Sequence, residues 1–583
     1  MTKAKSSQTF WFLALPILVG LGIAFAVPTF ARAQQHMVRE SLLVPAVRES
    51  SWNVDQLTID GANKATFTNA TAAAVTFTLD VAASNVLSDV ILSSVAWGDY
   101  DNDGDLDVLL TGRGTGLIPL SSVYENTGSG LAEDVSISGV LEDVYWSSAA
   151  WGDYDNDGDL DILLTGYDGS GNHSRVYKNT GSGFMEDVSI SSVLVDVSNS
   201  SVAWGDYDND GDLDILLTGS DSGSNRLSKL YENTGTGFKE DLAASSVLTG
   251  VSNSSVAWGD YDNDGDLDIL LTGYDGSIRR SYVYENTGSG FTENVSISSV
   301  LPGVNGSSAA WGDYDNDGDL DILLTGYGEG IGPLSRLYEN TGSGFTEDLA
   351  ASSVLTDVIN GSAAWGDYDN DGDLDILLTG DTWIKGVNNG VSRLYENTGS
   401  GFTENITASS ILTGVYYSSV AWGDYDNDGD LDILLTGHDG DGFQSNVYRN
   451  NVVTNNIPPG APGGLKSSMD GQQVSLSWDP PSPLTYTTPF TSLTYNLRVG
   501  TASGLSDILA PMSCVGTCGT GPDGYRQVPA MGAANHGLSA TLNLPPGTYY
   551  WSVQAIDHTF TGSPWAVEGV FPSQEVNLPV VYR

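Results

Sequence analysis

Gly98-Asp99-Tyr100-Asp101-Asn102-Asp103-Gly104-Asp105-Leu106-Asp107 follows Trp97 and runs into Val108-Leu109-Leu110-Thr111-Gly112. The same ten residues return after Trp151, Trp204, Trp258, Trp311, Trp365 and Trp422, so the chain holds seven copies. The steps between these tryptophans are 54, 53, 54, 53, 54 and 57 residues. A period of that size is the signature of a repeat architecture, in which each copy is one supersecondary unit.

The stretch has a direct chemical reading. Hard cations such as Ca²⁺ take six to eight oxygens at about 2.3–2.6 Å, and Asp at positions 1, 3 and 5 of a tight loop supplies them. Gly104 permits the sharp turn and Asp107 closes the loop at the ninth position. By analogy, Asp105 offers its backbone carbonyl and leaves its carboxylate facing water. Without a cation, four converging carboxylates repel one another. A helix-loop-helix calcium site needs a bidentate Glu at position 12, but that position is Leu110. One copy alone would read as well as a surface turn; seven copies with every position kept do not.

The candidate metal residues are therefore Asp99, Asp101, Asp103, Asp105 and Asp107 in the first unit, and Asp153, Asp155, Asp157, Asp159 and Asp161 in the second. The third and fourth supply Asp206, Asp208, Asp210, Asp212 and Asp214, then Asp260, Asp262, Asp264, Asp266 and Asp268. Asp313, Asp315, Asp317, Asp319 and Asp321 follow, then Asp367, Asp369, Asp371, Asp373 and Asp375, and last Asp424, Asp426, Asp428, Asp430 and Asp432. The expected cofactor is Ca²⁺, up to seven ions, in a structural role.

Lys3 and Lys5 precede an apolar run from Phe10 to Val27, and Ala31-Arg32-Ala33 offers a cleavage site. That is a secretory signal pattern, although the run is long enough to serve as an uncleaved anchor. Export agrees with the composition. The formal net charge is −52, and the seven loops hold 35 of the 74 acidic residues. So negative a field argues against nucleic acid. Two cysteines in 583 residues exclude a disulfide scaffold. Cys514 and Cys518 lack the second pair or nearby His of a zinc site; a local disulfide and two free thiols both remain open.

Each unit reads as four short strands. In the first they are Ser93–Trp97, Asp107–Gly112, Ser122–Glu125 and Leu131–Val135, the last two joined by a tight Asn126–Gly130 turn. Short β-rich runs and Gly-rich turns give an all-β chain, and seven such units give a seven-bladed β-propeller. A linear solenoid would need caps at both ends. The last unit stops at Tyr448-Arg449-Asn450 without a fourth strand, while an orphan strand, Val75–Asp80, precedes the first. The N-terminus is thus expected to complete the last blade and remove the free edges.

The repeat resembles the FG-GAP/VCBS family, calcium-loop propeller repeats also found in integrin α-subunit heads, over roughly residues 73–455. The resemblance implies Ca²⁺ on Asp99, Asp101, Asp103, Asp107 and their counterparts at the lower face, with partners at the upper face. Integrins carry loops in only some blades, and nothing in the sequence resembles an integrin leg or integrin membrane span, so integrin biology does not transfer.

The acidic loops and Asn-Thr-Gly turns share one face; the connections on the other vary, and loops carry function on rigid scaffolds. The pair after each inter-unit Val reads Ile91-Leu92, Tyr145-Trp146, Ser198-Asn199, Ser252-Asn253, Asn305-Gly306, Ile359-Asn360 and Tyr416-Tyr417. Apolar or aromatic pairs occupy three consecutive junctions. Tyr145, Trp146, Tyr416 and Tyr417, bordered by Trp383, are the candidate partner-binding residues, since exposed aromatics suit sugar faces or protein anchors. Equally, this sector could pack under the C-terminal domain or under the residues before Val75. Arg279 and Arg280 read as solvated, the repeating Trp as inter-unit core, and the loop Tyr as a cover over the metal.

The segment 456–464 is a Pro/Gly linker. Beyond it, 465–572 resembles a fibronectin type III domain, with Trp478 at the strand-B tryptophan and Tyr549 at the tyrosine-corner position; 505–535 reads as an insertion. The expected layout is signal 1–33, leader 34–72, propeller 73–455, linker 456–464, fibronectin-like β-sandwich 465–572 and tail 573–583. The function expected is that of a secreted, calcium-stabilised binding or adhesion protein for a carbohydrate or an extracellular protein. The alternatives are a polysaccharide lyase or glycosidase and a structural envelope component. No catalytic residue is assigned: the five histidines lie in unrelated contexts and nearly all the Asp is committed to the loops.

Overall fold

In a computed structural model the described residues are 57–59, 65–67 and 77–572, apart from 384–386, 471, 483–486, 515–523 and 546. The segment expected to direct export, most of the expected leader, Cys518 and the tail lie outside them. The chain falls into two compact units that divide between Val75 and Thr76. In the first, Leu57–Ile59 pairs antiparallel with Ala65–Phe67. No described helix is long and apolar enough to cross a membrane.

The second unit is all-β. Strands Val90–Gly98, Asp107–Gly114, Pro119–Asn126 and Leu131–Glu133 form an antiparallel sheet in sequence order. The pattern recurs in every repeat. The middle strands are buried on both sides: Val108, Leu109 and Leu110 are fully enclosed, as are Ile162, Leu163 and Leu164 in the next repeat. These uninterrupted apolar runs are what a strand packed between two neighbouring sheets requires.

Contacts between repeats explain the Trp-Gly pair. A Cβ on Gly98 would lie 2.6 Å from the Trp151 indole, and Gly152 stands in the same relation to Trp204. Gly423 of the last repeat stands so to Trp97 of the first, at 2.7 Å. Six of the seven indoles also stack on the loop tyrosine of the preceding repeat, as Tyr100 does on Trp151 at 6.1 Å and Tyr425 on Trp97 at 5.7 Å. The tryptophans are inter-unit core as expected. The tyrosines are too, rather than covers over the loops.

The last repeat takes its fourth strand from the N-terminus. Phe77–Leu79 pairs with its third strand, Phe77 opposite Asn450 and Leu79 opposite Tyr448. Phe77 is fully buried and sits 6.0 Å from Tyr368 and 6.3 Å from Trp422. Phe184 holds that place between Tyr100 and Trp151.

One element was not anticipated. After every fourth strand comes a short helix, such as Val81–Ser84 and Val135–Ser138. Its N-cap is Asp80, Asp134, Asp187, Asp241, Asn294, Asp348 or Asn405. The Asp or Asn before each Val, Leu or Ile that opens these helices was the signal available in the sequence.

Beyond the repeats stand two three-stranded sheets. One contains Gly463–Asp470, Gln473–Asp479 and Ser539–Asn543; the other Thr494–Gly500, Thr548–Ile556 and Gly569–Pro572. They share a core around Trp478, Tyr495 and Trp551. The Tyr549 hydroxyl donates to the Pro545 carbonyl at 2.9 Å. Cys514 is disulfide-bonded.

Candidate metal centre and the opposite face

Each acidic loop is organised by its own carboxylates. Asp99 accepts from the N–H groups of Asp103 and Gly104, at 3.0 and 3.1 Å. Asp107 accepts from Tyr100 N–H at 3.1 Å and from Asn126 N–H at 2.7 Å, which ties the Asn-Thr-Gly turn to the loop. Asn102 takes φ 60° and Gly104 φ 93°, the left-handed values that bend the loop back. Asn tolerates this region better than most residues and Gly without cost.

The result gathers carboxylates where charge is hard to hold. One oxygen each from Asp99, Asp101 and Asp107 lie within 4.8 Å of one another, and Asp153, Asp155 and Asp161 repeat the group. Asp99 and Asp107 are buried. Burial first, and neighbouring carboxylates second, push Asp99 up to about 7 and Asp107 up to about 9. Asp161 and Asp268 reach about 9 for the same reasons. Asp369 and Asp426 each keep one enclosed oxygen with no hydrogen-bond partner. An all-oxygen set of buried, mutually repelling carboxylates with orphaned lone pairs fits a hard divalent cation.

Position 7 departs from expectation. The Asp105 carboxylate is not left to water alone; half-exposed, it accepts at 2.7 Å from the Asn427 amide. The tie is general: Asn102 reaches Asp159, Asn156 reaches Asp212, Asn209 reaches Asp266, Asn263 reaches Asp319, Asn316 reaches Asp373 and Asn370 reaches Asp430, all within 2.9 Å. Asp105 and its counterparts are thus links between successive loops. The carboxylates gathered for a cation come from the other loop positions.

A further asymmetry went unread in the sequence. After the third-strand Tyr, five repeats carry Glu, namely Glu125, Glu232, Glu285, Glu339 and Glu396, whose charges bear on the adjacent loop Asp. The second has Lys178, whose Nζ contacts Asp155 and lies 3.2 Å from Asp157. The last has Arg449, 2.8 Å from Asp426.

On the opposite face, the second residue of each junction pair has left-handed φ. The values are 53° at Leu92, 50° at Trp146, 50° at Asn199, 47° at Asn253, 53° at Gly306, 50° at Asn360 and 50° at Tyr417. Backbone bonds join these residues across repeats: Gly306 N–H to Asn253 O, Asn360 N–H to Gly306 O, and Tyr417 N–H to Asn360 O. Trp146 is 39% exposed and Tyr417 36%. Tyr145 is buried beneath Trp146, 4.8 Å away, and Tyr416 packs on Tyr417 and His438. Trp383, 43% exposed with φ 43°, packs on Tyr327.

Two expectations are corrected here. Among the described residues the C-terminal region meets the acidic loops and not this sector, as when Asp99 N–H donates to Gln527 O. Arg279 and Arg280 are engaged rather than solvated. Arg279 bonds Asn305 and Glu329 and lies over the Tyr327 ring, and Arg280 pairs with Asp275 at 2.7 Å.

A model of the FG-GAP-like repeat matches residues 99–164, 153–217, 216–271, 270–324 and 383–435. No curated protein matches the chain. Among solved structures, one described as the structure of YjhT is 13% identical, covers 54% of this chain and 97% of its own, and has a TM-score of 0.35. A lectin of Aleuria aurantia in complex with alpha-methyl-L-fucoside is 12% identical, covers 55% of this chain and 96% of its own, with a TM-score of 0.34. A crystal structure of the Aleuria aurantia lectin, described as a six-bladed β-propeller with a novel fucose recognition mode, gives 12%, 55%, 96% and 0.33. At these scores the likeness carries no inference about blade number or ligand.

Proposed function

We propose that this chain is an exported, calcium-stabilised propeller of seven blades with a fibronectin type III-like module, and that it binds carbohydrate through the face opposite its acidic loops. Ring closure is supported by the Asn427 to Asp105 and Trp97 to Tyr425 contacts, which repeat those between successive units. The fibronectin-like reading is supported by the two three-stranded sheets and the Tyr549 to Pro545 bond. Calcium is supported by the donor set. Asp99, Asp101, Asp103 and Asp107 and their counterparts would hold it, and the ion would supply the positive charge these carboxylates need.

The observation behind the binding face is conformational. Where four repeats place Asn or Gly at the left-handed position, three consecutive ones place Tyr417, Leu92 and Trp146. A bulky side chain at such a φ is an outlier that costs roughly 1–3 kcal/mol, and such outliers cluster at ligand sites. Half-exposed indole and phenol rings held there present flat faces of the kind sugar rings stack on.

The test is a glycan screen in calcium with the wild type, Trp146→Asn and Tyr417→Asn. Asn is the residue that occupies the same place in the third and fourth repeats. Loss of binding in both variants, with melting temperature kept or raised, supports the reading. Failure to bind any glycan, or binding indifferent to both changes, sinks it.

A further inference from the structure

The loop face is not free. Segments 487–493, 508–512, 525–531 and 557–560 of the C-terminal region meet it, and the second and third of these belong to the stretch read as an insertion. The contacts fall on the loops' own turn residues. Gln527 Nε2 donates to Asn102 Oδ1 and to the Gly158 carbonyl, and its own carbonyl accepts from Asp99 N–H. Ala510 N–H donates to Asn156 Oδ1 at 2.7 Å. Thr491 Oγ1 donates to the Asn316 carbonyl at 3.0 Å. His558 lies 3.0 Å from the Gly372 carbonyl through Nδ1, and its own carbonyl accepts from Asp367 N–H.

Two features make this docking conditional on the loops. First, its hydrogen bonds go to backbone groups and Asn amides whose positions exist only while each loop is folded around its carboxylates. At Gly211 and Gly372 an added Cβ would lie 2.5 and 2.4 Å from the Ile508 and Thr487 carbonyls, so small changes in loop path are felt directly. Second, Met512 and Phe560, which pack against the repeat cores, sit at φ 48° and 62°. Such strain persists only where surrounding contacts impose it.

We propose that the C-terminal domain is a cation-dependent plug: ions in the loops favour its docking on the loop face, and docking in turn favours ion binding. The inference rests on the calcium reading of the loops. Reciprocity follows from linkage, because a site that gains affinity on docking must strengthen docking when filled. Charge neutralisation fixes the loop path, the fixed path presents Asn102, Asn156 and Asn316, and the domain seats on them. Between the domain and the fifth and sixth repeats remains a cavity of about 270 Å³, lined by Trp311, Trp365, His536, His558 and Phe560. Undocking would open it to solvent. The plug also leaves the opposite face as the accessible one while the ions are bound.

The experiment uses the full chain. Small-angle scattering and limited proteolysis of the 456–464 linker are compared in calcium and in excess chelator, with far-UV circular dichroism reporting that the sheets persist. Calcium is titrated calorimetrically into wild type and into two mild variants, Gln527→Ala and Thr491→Val. Expected are a larger radius of gyration and faster linker cleavage in chelator, and calcium affinity reduced by about fivefold or more in Gln527→Ala. Thr491→Val removes one exposed hydroxyl and guards against a variant that merely misfolds; it should weaken binding in the same direction. Calcium binding with unchanged dimensions, cleavage and variant affinities overturns the plug alone. No calcium binding at all overturns the loop reading together with it.

Discussion

The Asn427 side-chain amide, in the last acidic loop, donates to the Asp105 carboxylate of the first at 2.7 Å, across 322 residues of chain. Six other Asn–Asp pairs make the same bond between adjacent loops. The junction of the first and last repeats is therefore an ordinary neighbour contact. Asn427 sits at φ 56°, so Gly is the substitution that removes the amide without adding strain. Asn427→Gly should lower stability by about 1.5 kcal/mol, the low end of the range for a hydrogen bond to a charged group, because this bond is exposed. Chemical denaturation measures it, and a cycle with Asp105→Asn should show the two losses to be non-additive. Additive losses would mean that the pair does not interact in solution.

Phe77 fills the gap between Tyr368 and Trp422 from the far end of the chain. Truncating a fully buried Phe costs about 3–5 kcal/mol, so Phe77→Ala should lower the unfolding midpoint markedly. The equivalent change at exposed Leu79 should do little. Equal midpoints for wild type and Phe77→Ala would remove the N-terminal strand from the last repeat.

Asp80 clasps the same junction. It caps the first short helix through Ala82 and Ala83 N–H and accepts from the Tyr425 hydroxyl and Arg449 Nε. Burial opposes its ionisation, but the hydrogen bonds from Tyr425, Ala83 and Arg449 outweigh burial and lower the carboxyl to about 2. The folded value lies below the unfolded one near 4. The clasp therefore contributes fully above about pH 4 and is lost as pH falls toward 2. With solvent screening discounted, its worth is about 1–2 kcal/mol. The stability gap between wild type and Asp80→Asn should be flat from pH 5 to 7 and close below pH 4. A gap that widened on acidification would reverse the sign and refute the assignment.

Lys178 and Arg449 place a fixed positive charge against loop carboxylates where five repeats have Glu. A cation entering the second or last loop must compete with that charge, so two of the seven sites should be weak. Lys178→Glu should tighten the second site, visible as one additional strong equivalent in a calcium titration. Superimposable isotherms for the two proteins would show that Lys178 does not face the site in solution.

The repeat, its four strands, the acidic loops, the tryptophan core and the N-terminal completion of the last repeat were all legible in the sequence. Each depends on local chemistry or on counting: turn residues at fixed offsets, alternation along strands, and one strand missing at one end and spare at the other. The strain at Trp146 and Tyr417 was half legible. The column Leu92, Trp146, Asn199, Asn253, Gly306, Asn360, Tyr417 mixes left-handed formers with bulky residues, but only the backbone shows that all seven share one conformation. The short helices were missed because a single turn leaves no 3.6-residue period, only its cap.

What the sequence by itself determined is whatever repeats within some fifty residues, because neighbouring backbone and side chains decide it. What only the tertiary structure decided is which surfaces meet: that Asp105 answers Asn427, that Lys178 turns toward Asp155, and that Gln527 reaches the Asp99 loop rather than the aromatic sector. Such meetings depend on shapes built from all the repeats together and on carboxylates gathered from distant segments. No window of sequence records how those shapes fit.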